Sequence, residues 1–140
     1  MLLKLKTFLM LKHIHHWLQA KKIFKGLAFF ATLVIVFLSL KPPSPDSKSW
    51  SLLFLRGDLI LHFICYFGMT FLYFFAFYTQ NNALKKSGLF SLLLGCFLET
   101  LQLHPIFQRF FDSFDLLANF LGVLGAWFII KGFFYYSVKE

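Results

Sequence analysis

Charged residues are scarce in this sequence, and acidic residues are the scarcest of them. Only 14% of the 140 residues are charged, with six Asp or Glu against 14 Lys or Arg. A soluble domain carries about a quarter charged residues, so this shortage argues against an ordinary soluble globular domain. The chain is instead 59% hydrophobic and contains 22 phenylalanines. The composition predicts a chain that is buried in lipid or in contacts between helices.

Cysteine is also rare, and the residue sets of soluble enzymes are missing. Cys65 and Cys96 both fall within apolar runs, which predicts buried packing rather than a disulfide or a metal pair. No phosphate-binding glycine loop, nucleophile elbow or metal-spaced Cys/His set occurs. The sequence therefore indicates no cofactor and no metal. His13, His15 and His16 have no acidic or thiol residue near them, which favours a solvated basic face over a metal site.

Four long apolar stretches organise the chain. They run from about Ile23 to Leu40, Leu59 to Tyr78, Gly88 to Leu103 and Leu116 to Ile130, the last extendable to Tyr136. A helix needs about 20 residues to cross the hydrocarbon core. The second and fourth stretches meet this requirement, whereas the first and third borrow flanking residues. The pattern predicts an all-α fold, a polytopic membrane bundle of four transmembrane helices over residues 23–137.

The first 22 residues form a separate basic segment. Apolar residues recur there at roughly helical spacing, at Leu2, Leu5, Leu9, Ile14, Trp17 and Leu18. This pattern predicts a short amphipathic helix on the inner membrane surface. The apolar stretch that follows is succeeded by Lys-Pro-Pro-Ser-Pro and not by a small-residue cleavage pattern. A retained helix is therefore favoured over a cleaved signal peptide.

The distribution of cations predicts the orientation in the membrane. With the N-terminus inside, ten of the 14 cations lie in inner segments and four in outer loops. The positive-inside rule then places both termini of this multi-pass chain in the cytoplasm. Six of the cations precede or open the first apolar stretch. This clustering indicates contact with anionic membrane lipid, and no nucleic-acid-binding motif accompanies it.

In this topology the polar residues gather at the outer ends of the helices. Asp58 opens the second helix with His62 one turn below, and Asp115 opens the fourth with Asn119 one turn below. On the third helix, Glu99 and Gln102 share a face three residues apart. At 1.5 Å per residue, His62, Glu99 and Asn119 each lie about 6–8 Å below the outer helix ends. The spacing predicts one shared polar layer, with Arg109 above it.

Small residues on the third and fourth helices predict close helix contacts. Ala118, Gly122 and Ala126 repeat every four residues, Gly125 widens that face, and Gly95 lies four residues before Glu99. An ionisable residue at mid-membrane costs at least about 2.5–3.5 kcal/mol. Glu99 is therefore expected to face the interior, beside His62 or Arg109. For Asp58 and Asp115, N-capping of a helix is an equal alternative to a role in ligand binding, and Gln102 and Asn119 equally fit helix fastening.

This arrangement resembles the VanZ-like membrane proteins over roughly residues 25–130. The resemblance rests on the spaced set Asp58, His62, Gly95, Glu99, Gln102, Arg109, Asp115, Asn119, Gly122 and Gly125, and on the Leu38-Ser39-Leu40-x-Pro42 exit of the first helix. The family often has a lysine after the first aspartate, where this chain has Leu59. The founding member of the family is linked to reduced susceptibility to the glycopeptide teicoplanin. The resemblance implies a four-helix domain in the bacterial inner membrane and an envelope function, and it leaves enzyme and binder open.

Three functions are weighed from the polar layer. The first is an envelope protein that binds or modifies an anionic lipid-linked or cell-wall-derived ligand. Arg109 would hold phosphate or carboxylate with Asp58, Gln102, Asp115 and Asn119 around it, and His62 and Glu99 would be the acid/base pair. The second is a non-enzymatic membrane component whose polar residues only fasten helices. A proton-coupled transporter is less favoured, because the acidic groups occupy one end only. The oligomeric state and the ligand stay open.

Overall fold

The structure, a computed structural model, describes residues 21–42, 51–52 and 54–136. Four long helices dominate it: α1 Lys21–Leu40, α2 Gly57–Phe77, α3 Ala83–Gln102 and α4 Ser113–Ile130, the last continuing as a π-helix over Lys131–Tyr136. A 3₁₀ turn, Pro105–Phe107, lies between α3 and α4, and β1 Ser51–Leu52 pairs antiparallel with β2 Leu55–Arg56 before α2. The amphipathic helix predicted for the N-terminal segment falls on residues outside the described ranges, apart from the two lysines that open α1.

The fold is mostly helical, and three of its helices are long and apolar enough to cross a membrane. These spans are Lys22–Leu40, Gly57–Phe77 and Ser113–Phe134, with mean hydropathies of 2.3, 1.9 and 1.7. α3 has 20 residues but includes Lys85, Lys86 and Glu99 and is not among the three. The predicted helical architecture, with helices long and apolar enough to cross a membrane, is confirmed at this level.

α2 is the helix on which the other three pack. Its most extensive contacts run along α4, and it also packs on α3 and α1. The interior of the bundle contains several polar side chains that are almost completely buried: Thr70, Ser87, Ser91, Glu99, Gln102 and Asn119. Many large apolar side chains point outward instead, among them Phe29, Phe30, Phe37, Leu93, Phe97 and Phe128. A polar interior with an apolar exterior suits a lipid environment, where unpaired polar groups are costly.

The close contact between α2 and α4 depends on Gly122. A Cβ atom added at this position would collide with the backbone carbonyl oxygen of Phe63 and lie 3.0 Å from the backbone nitrogen of Phe67. Ala118 and Ala126, one turn away on either side, are also buried. The small side chains of this face let the two backbones approach each other directly.

Hydrogen bonds between side chains join the helices at several depths. The hydroxyls of Thr32 on α1 and Tyr73 on α2 lie 2.8 Å apart, and Thr70 on α2 donates to Ser91 on α3 at 3.1 Å. Both described cysteines are free; Cys65 is half-buried, whereas Cys96 is exposed on α3. The expectation of buried packing is therefore wrong for Cys96, which faces outward with the apolar side of its helix.

The two ends of the bundle differ in charge. At one end, here called the polar end, α1 ends, α2 begins, α3 ends and α4 begins, so that Asp58, Glu99 and Asp115 all lie near it. The opposite end, here called the lysine end, contains Lys85 and Lys86 at the start of α3 and also the start of α1. The candidate site lies at the polar end.

Candidate functional site

α2 and α4 meet at the polar end through a hydrogen bond between His62 and Asn119. The two residues lie one turn inside their helices, and Asn119 is only 1% exposed. His62 Nδ1 lies 2.9 Å from the Asn119 side-chain oxygen Oδ1, to which the protonated ring nitrogen donates. The bond fixes the orientation of the imidazole ring and turns Nε2 toward α3 and the start of α4.

Two carboxylates face this ring. Asp115 Oδ2 lies 3.6 Å from His62 Nε2, and the Glu99 side chain comes in from α3. One potential ligand atom from each of His62, Glu99 and Asp115 lies within 4.8 Å of the other two. We call His62, Glu99, Asp115 and Asn119 the inner cluster. Its members come from three helices that are distant in sequence.

The inner cluster contains polar atoms without hydrogen-bond partners. Glu99 Oε2, Asp115 Oδ1 and Asn119 Nδ2 are buried and accept or donate no hydrogen bond within the described part of the chain. Glu99 is 1% exposed. A buried polar atom left unpaired costs about 1–3 kcal/mol, and more when it is charged. The cluster therefore has unused binding capacity.

Gly95 and Tyr66 form the inner wall of the cluster. A Cβ atom on Gly95 would lie 3.1 Å from Tyr66 Cε1 and 3.2 Å from Asn119 Nδ2. Tyr66 itself is buried at 2% exposure. The absence of a side chain at Gly95 thus makes room for the tyrosine ring and the asparagine amide, which lie directly against α3.

A second group of charges covers the mouth of the cluster. Arg56, at the end of β2, pairs with Asp58 on one side and donates from Nη1 to Asp112 Oδ2 at 2.8 Å on the other. Its Nη2 also lies 3.9 Å from Asp115 Oδ1. We call Arg56, Asp58 and Asp112 the outer cluster. Across both clusters four carboxylates face one guanidinium and one imidazole, so the site is predominantly acidic.

The outer cluster also organises the start of α4. Asp112 is the N-cap residue, and its Oδ1 accepts from the Phe114 backbone N–H at 2.8 Å. This backbone donor and the Arg56 guanidinium hold the pKa of the Asp112 carboxyl below its ordinary value. The hydrogen bonds to Asp58 and Asp112 raise the pKa of Arg56. The pair therefore stays ionised around neutral pH.

Asp112 makes the stability of the fold depend on pH in the acid range. Because its pKa is lower in the folded chain than the roughly 3.9 of an unfolded aspartate, its contribution is complete above about pH 4 and is lost as the pH falls through the folded value. We expect the thermal unfolding midpoint of the detergent-solubilised chain to decrease as the pH is lowered below about 4. Asp112→Asn keeps the acceptor for the Phe114 N–H and should decrease less steeply. An identical acid slope in both proteins would contradict this role.

Arg109 and Gln102 lie at the end of α1. Arg109 donates to the backbone carbonyl oxygens of Lys41 at 2.9 Å and Leu38 at 3.3 Å, and Gln102 donates to that of Ser39 at 3.0 Å. The last carbonyls of a helix lack partners within the helix, so Gln102 holds the end of α1 against α3 and Arg109 holds it against the loop before α4. Arg109 was predicted above the polar layer; the cation over the carboxylates is Arg56 instead.

Arg109 also lines an open depression on the protein surface. The depression has a volume of about 420 Å³ and is formed by Leu103, Pro105, Gln108, Arg109, Phe110 and Phe111. Phe110 is 91% exposed. One guanidinium thus lies among apolar side chains at the edge of the polar end.

The structure brings together most of the residues that the spacing singles out. His62, Glu99, Asp115 and Asn119 form one cluster, with Asp58 above it and Gly95 behind it.

Gly122 and Ala118 lie on the face of α4 that meets α2, and a Cβ on Gly125 would have ordinary contacts of 3.6–3.8 Å with Phe67 and Phe63. Gln102 and Arg109 lie apart from the cluster, at α1. Arg56 is the residue that sequence reasoning missed, although its position two residues before Asp58 at a helix start was a usable signal.

Comparisons of the chain with protein-family models, with curated proteins and with solved structures find no match.

Proposed function

We propose that this chain is a VanZ-like integral protein of the bacterial cytoplasmic membrane that binds an anionic lipid-linked or cell-wall-derived ligand at its extracytoplasmic end. The observation that carries the proposal is the surface depression, where Arg109 lies between Leu103 and the phenylalanines 110 and 111. A guanidinium suits a phosphate or carboxylate, and the apolar walls suit the hydrocarbon chain of a lipid-linked molecule. An effect on teicoplanin susceptibility is the corresponding cellular property.

In this proposal all four helices cross the membrane, α3 included. Support comes from the outward face of α3, where the large apolar side chains Leu89, Phe90, Leu93 and Phe97 are each more than half exposed. Such a stripe on a helix whose opposite face contains Ser87, Ser91 and Glu99 suits contact with lipid on one side and protein on the other. Lys85 and Lys86 then lie at the membrane surface.

The lysine end is proposed to face the cytoplasm. Among the described residues, the starts of α1 and α3 and the π-helix after α4 contribute Lys21, Lys22, Lys25, Lys85, Lys86 and Lys131 to that end. The polar end contributes Lys41, Arg56 and Arg109, and Arg56 is neutralised by its aspartates. This imbalance supports cytoplasmic termini and, with them, the proposed extracytoplasmic position of the depression and the inner cluster.

His62 and Glu99 are the candidate acid/base pair if the ligand is modified as well as bound. Both belong to the inner cluster, where Glu99 is buried, His62 is half-buried and Asp115 supplies a further carboxylate. The alternative function is a non-enzymatic membrane component. It is favoured by the bonds that Arg109 and Gln102 make to α1 and by the His62–Asn119 bond between α2 and α4, because each of these fastens helices.

Binding of a polyprenyl phosphate to the purified full-length chain tests the proposed ligand class. We expect saturable binding that Arg109→Gln weakens by about tenfold or more, because a hydrogen bond to a charged group contributes about 1.5–3 kcal/mol. Arg109 also holds α1, so Gln102→Ala serves as the control, since it removes a bond to α1 without removing charge.

Retained affinity in Gln102→Ala together with the loss in Arg109→Gln supports the ligand role. An equal loss in both variants, or unchanged binding in Arg109→Gln, contradicts it and favours the structural alternative. The corresponding polyprenol, which lacks the phosphate, is measured in parallel. It separates binding through the phosphate from binding through the hydrocarbon chain.

A further inference from the structure

We propose that His62, Glu99 and Asp115 bind one divalent transition-metal ion. The three side chains come from α2, α3 and α4, and one potential ligand atom of each lies within 4.8 Å of the others. This site lies in the inner cluster, not in the depression around Arg109, and it does not depend on the anionic ligand proposed above.

The charge balance of the site calls for a cation. Arg56 is committed to Asp58 and Asp112 in the outer cluster and reaches Asp115 only at 3.9 Å. Glu99 has no ion pair with a described Lys or Arg, and His62 alone faces both inner carboxylates. Two carboxylates beside a single imidazole in a site removed from bulk water repel each other strongly unless a positive charge lies between them.

The unpaired oxygens point to the same missing charge. Glu99 Oε2 and Asp115 Oδ1 are buried and have no hydrogen-bond partner within the described residues. Glu99 as a whole is only 1% exposed. Buried carboxylate oxygens normally accept hydrogen bonds or coordinate metals. An ion at the centre of the cluster would give Glu99 Oε2 a partner that the described residues do not provide, and it would add to the distant Arg56 contact of Asp115 Oδ1.

The histidine is oriented as metal-bound histidines are. Its Nδ1 is used by Asn119 Oδ1 at 2.9 Å, which leaves Nε2 as the nitrogen that faces the carboxylates. A ligating histidine almost always donates from its other ring nitrogen to an oxygen in this way. The 3.6 Å between His62 Nε2 and Asp115 Oδ2 is too long for a good hydrogen bond but near the roughly 3.4 Å that separates two ligands of a tetrahedral zinc ion.

The donor set selects the class of ion. One imidazole nitrogen and two carboxylate oxygens suit zinc and its first-row neighbours better than magnesium or calcium, which prefer oxygen ligands alone. Three protein ligands leave a fourth position for water or for a ligand atom. The three ligand atoms lie up to 4.8 Å apart. Such a separation must shorten by about 1.4 Å to reach the spacing of two ligands on a tetrahedral ion, so binding draws the side chains together. Sequence spacing missed the site because each ligand lies on a different helix.

Zinc binding to the full-length chain in detergent, after removal of metal with a chelator, tests the proposal. His13, His15 and His16 are replaced by alanine in every protein measured, because that histidine cluster could also bind zinc. Isothermal titration is expected to give one zinc ion per chain. Glu99→Gln and His62→Ala should each lower the affinity by about 100-fold, and Asn119→Leu by about 10–100-fold, since it removes the residue that orients the imidazole.

His104→Ala is the matched control, because it removes an exposed histidine that is not a proposed ligand and whose ring bonds within its own loop, and its zinc affinity should stay within about twofold. Circular dichroism and gel filtration verify that each variant is folded. Cobalt absorption of the protein with an intact inner cluster gives a second readout, because the intensity of the d–d bands reports the coordination number of the bound ion. The absence of a stoichiometric zinc ion, or affinity equal to the parent protein in Glu99→Gln and His62→Ala, would overturn the proposal.

Discussion

Replacing Gly122 by alanine will separate α2 from α4 and destabilise the bundle by about 3 kcal/mol, the upper end of the range for overpacking, or prevent folding. The added Cβ would collide with the Phe63 carbonyl oxygen and crowd the Phe67 nitrogen. Both are backbone atoms, which cannot turn aside as a flexible side chain can. The whole helix must therefore move away, and with it Asn119 and Asp115 must move relative to His62.

Unfolding in mixed micelles with increasing dodecyl sulfate, followed by circular dichroism, measures this loss. Gly68→Ala is the matched control, because it makes the same change on α2 where a Cβ would meet nothing within 4 Å. Alanine favours a helix over glycine by up to about 1 kcal/mol, so Gly68→Ala should be neutral or slightly stabilising. Equal stability of the Gly122→Ala and Gly68→Ala proteins would show that α2 and α4 do not approach each other at this residue.

Glu99→Gln and His62→Ala will each abolish the activity of the chain in cells while leaving its amount in the membrane unchanged. Both substitutions remove a member of the inner cluster, in which a histidine and two carboxylates from three helices meet. Glu99→Gln keeps the size of the side chain and removes its charge, and so the packing of α3 is retained. The assay is teicoplanin susceptibility in a host where expression of the unaltered chain changes it, with membrane abundance measured by immunoblot.

His104→Ala is the matched control, because His104 is exposed in the loop after α3 and its ring bonds to Ile106 and packs on Phe107 of the same loop. Its activity should equal that of the parent. A decrease of abundance in proportion to activity would assign His62 and Glu99 to helix packing and support the non-enzymatic alternative. Full activity of the Glu99→Gln protein would remove the inner cluster from the function altogether.

The helices could be predicted from the sequence because each is marked by composition and period. The apolar runs located α1, α2 and α4 to within a few residues, and the four-residue spacing of Asp58 and His62 placed them on one face of α2. α3 begins at Ala83, five residues before the predicted Gly88, because Lys85 and Lys86 interrupt the apolar run without interrupting the helix. Asn82, with a φ of 60°, marks the break in the backbone before it.

The loop residues could not be placed in the same way. Arg109 follows α3 in a segment without helical period, so no spacing rule fixes its direction, and it binds the end of α1 instead of covering the carboxylates. Arg56 approaches the site through a two-residue strand that has no hydrophobic pattern. The relative rotation of α2, α3 and α4 likewise depends on contacts between helices, such as that of Gly122 with Phe63. One sequence predicts which face of each helix is polar but not which atoms meet.

The central claim is that three helices direct their ionisable side chains at the polar end toward one another. An experimental structure of the full chain in a lipid nanodisc, at a resolution that places side chains, tests it most directly. We expect the His62 imidazole within 4 Å of the Asp115 carboxylate, as the 3.6 Å separation here indicates, with the Glu99 carboxylate in the same cluster. A Glu99 side chain directed at lipid, or His62 and Asn119 on different faces of the bundle, would contradict the claim.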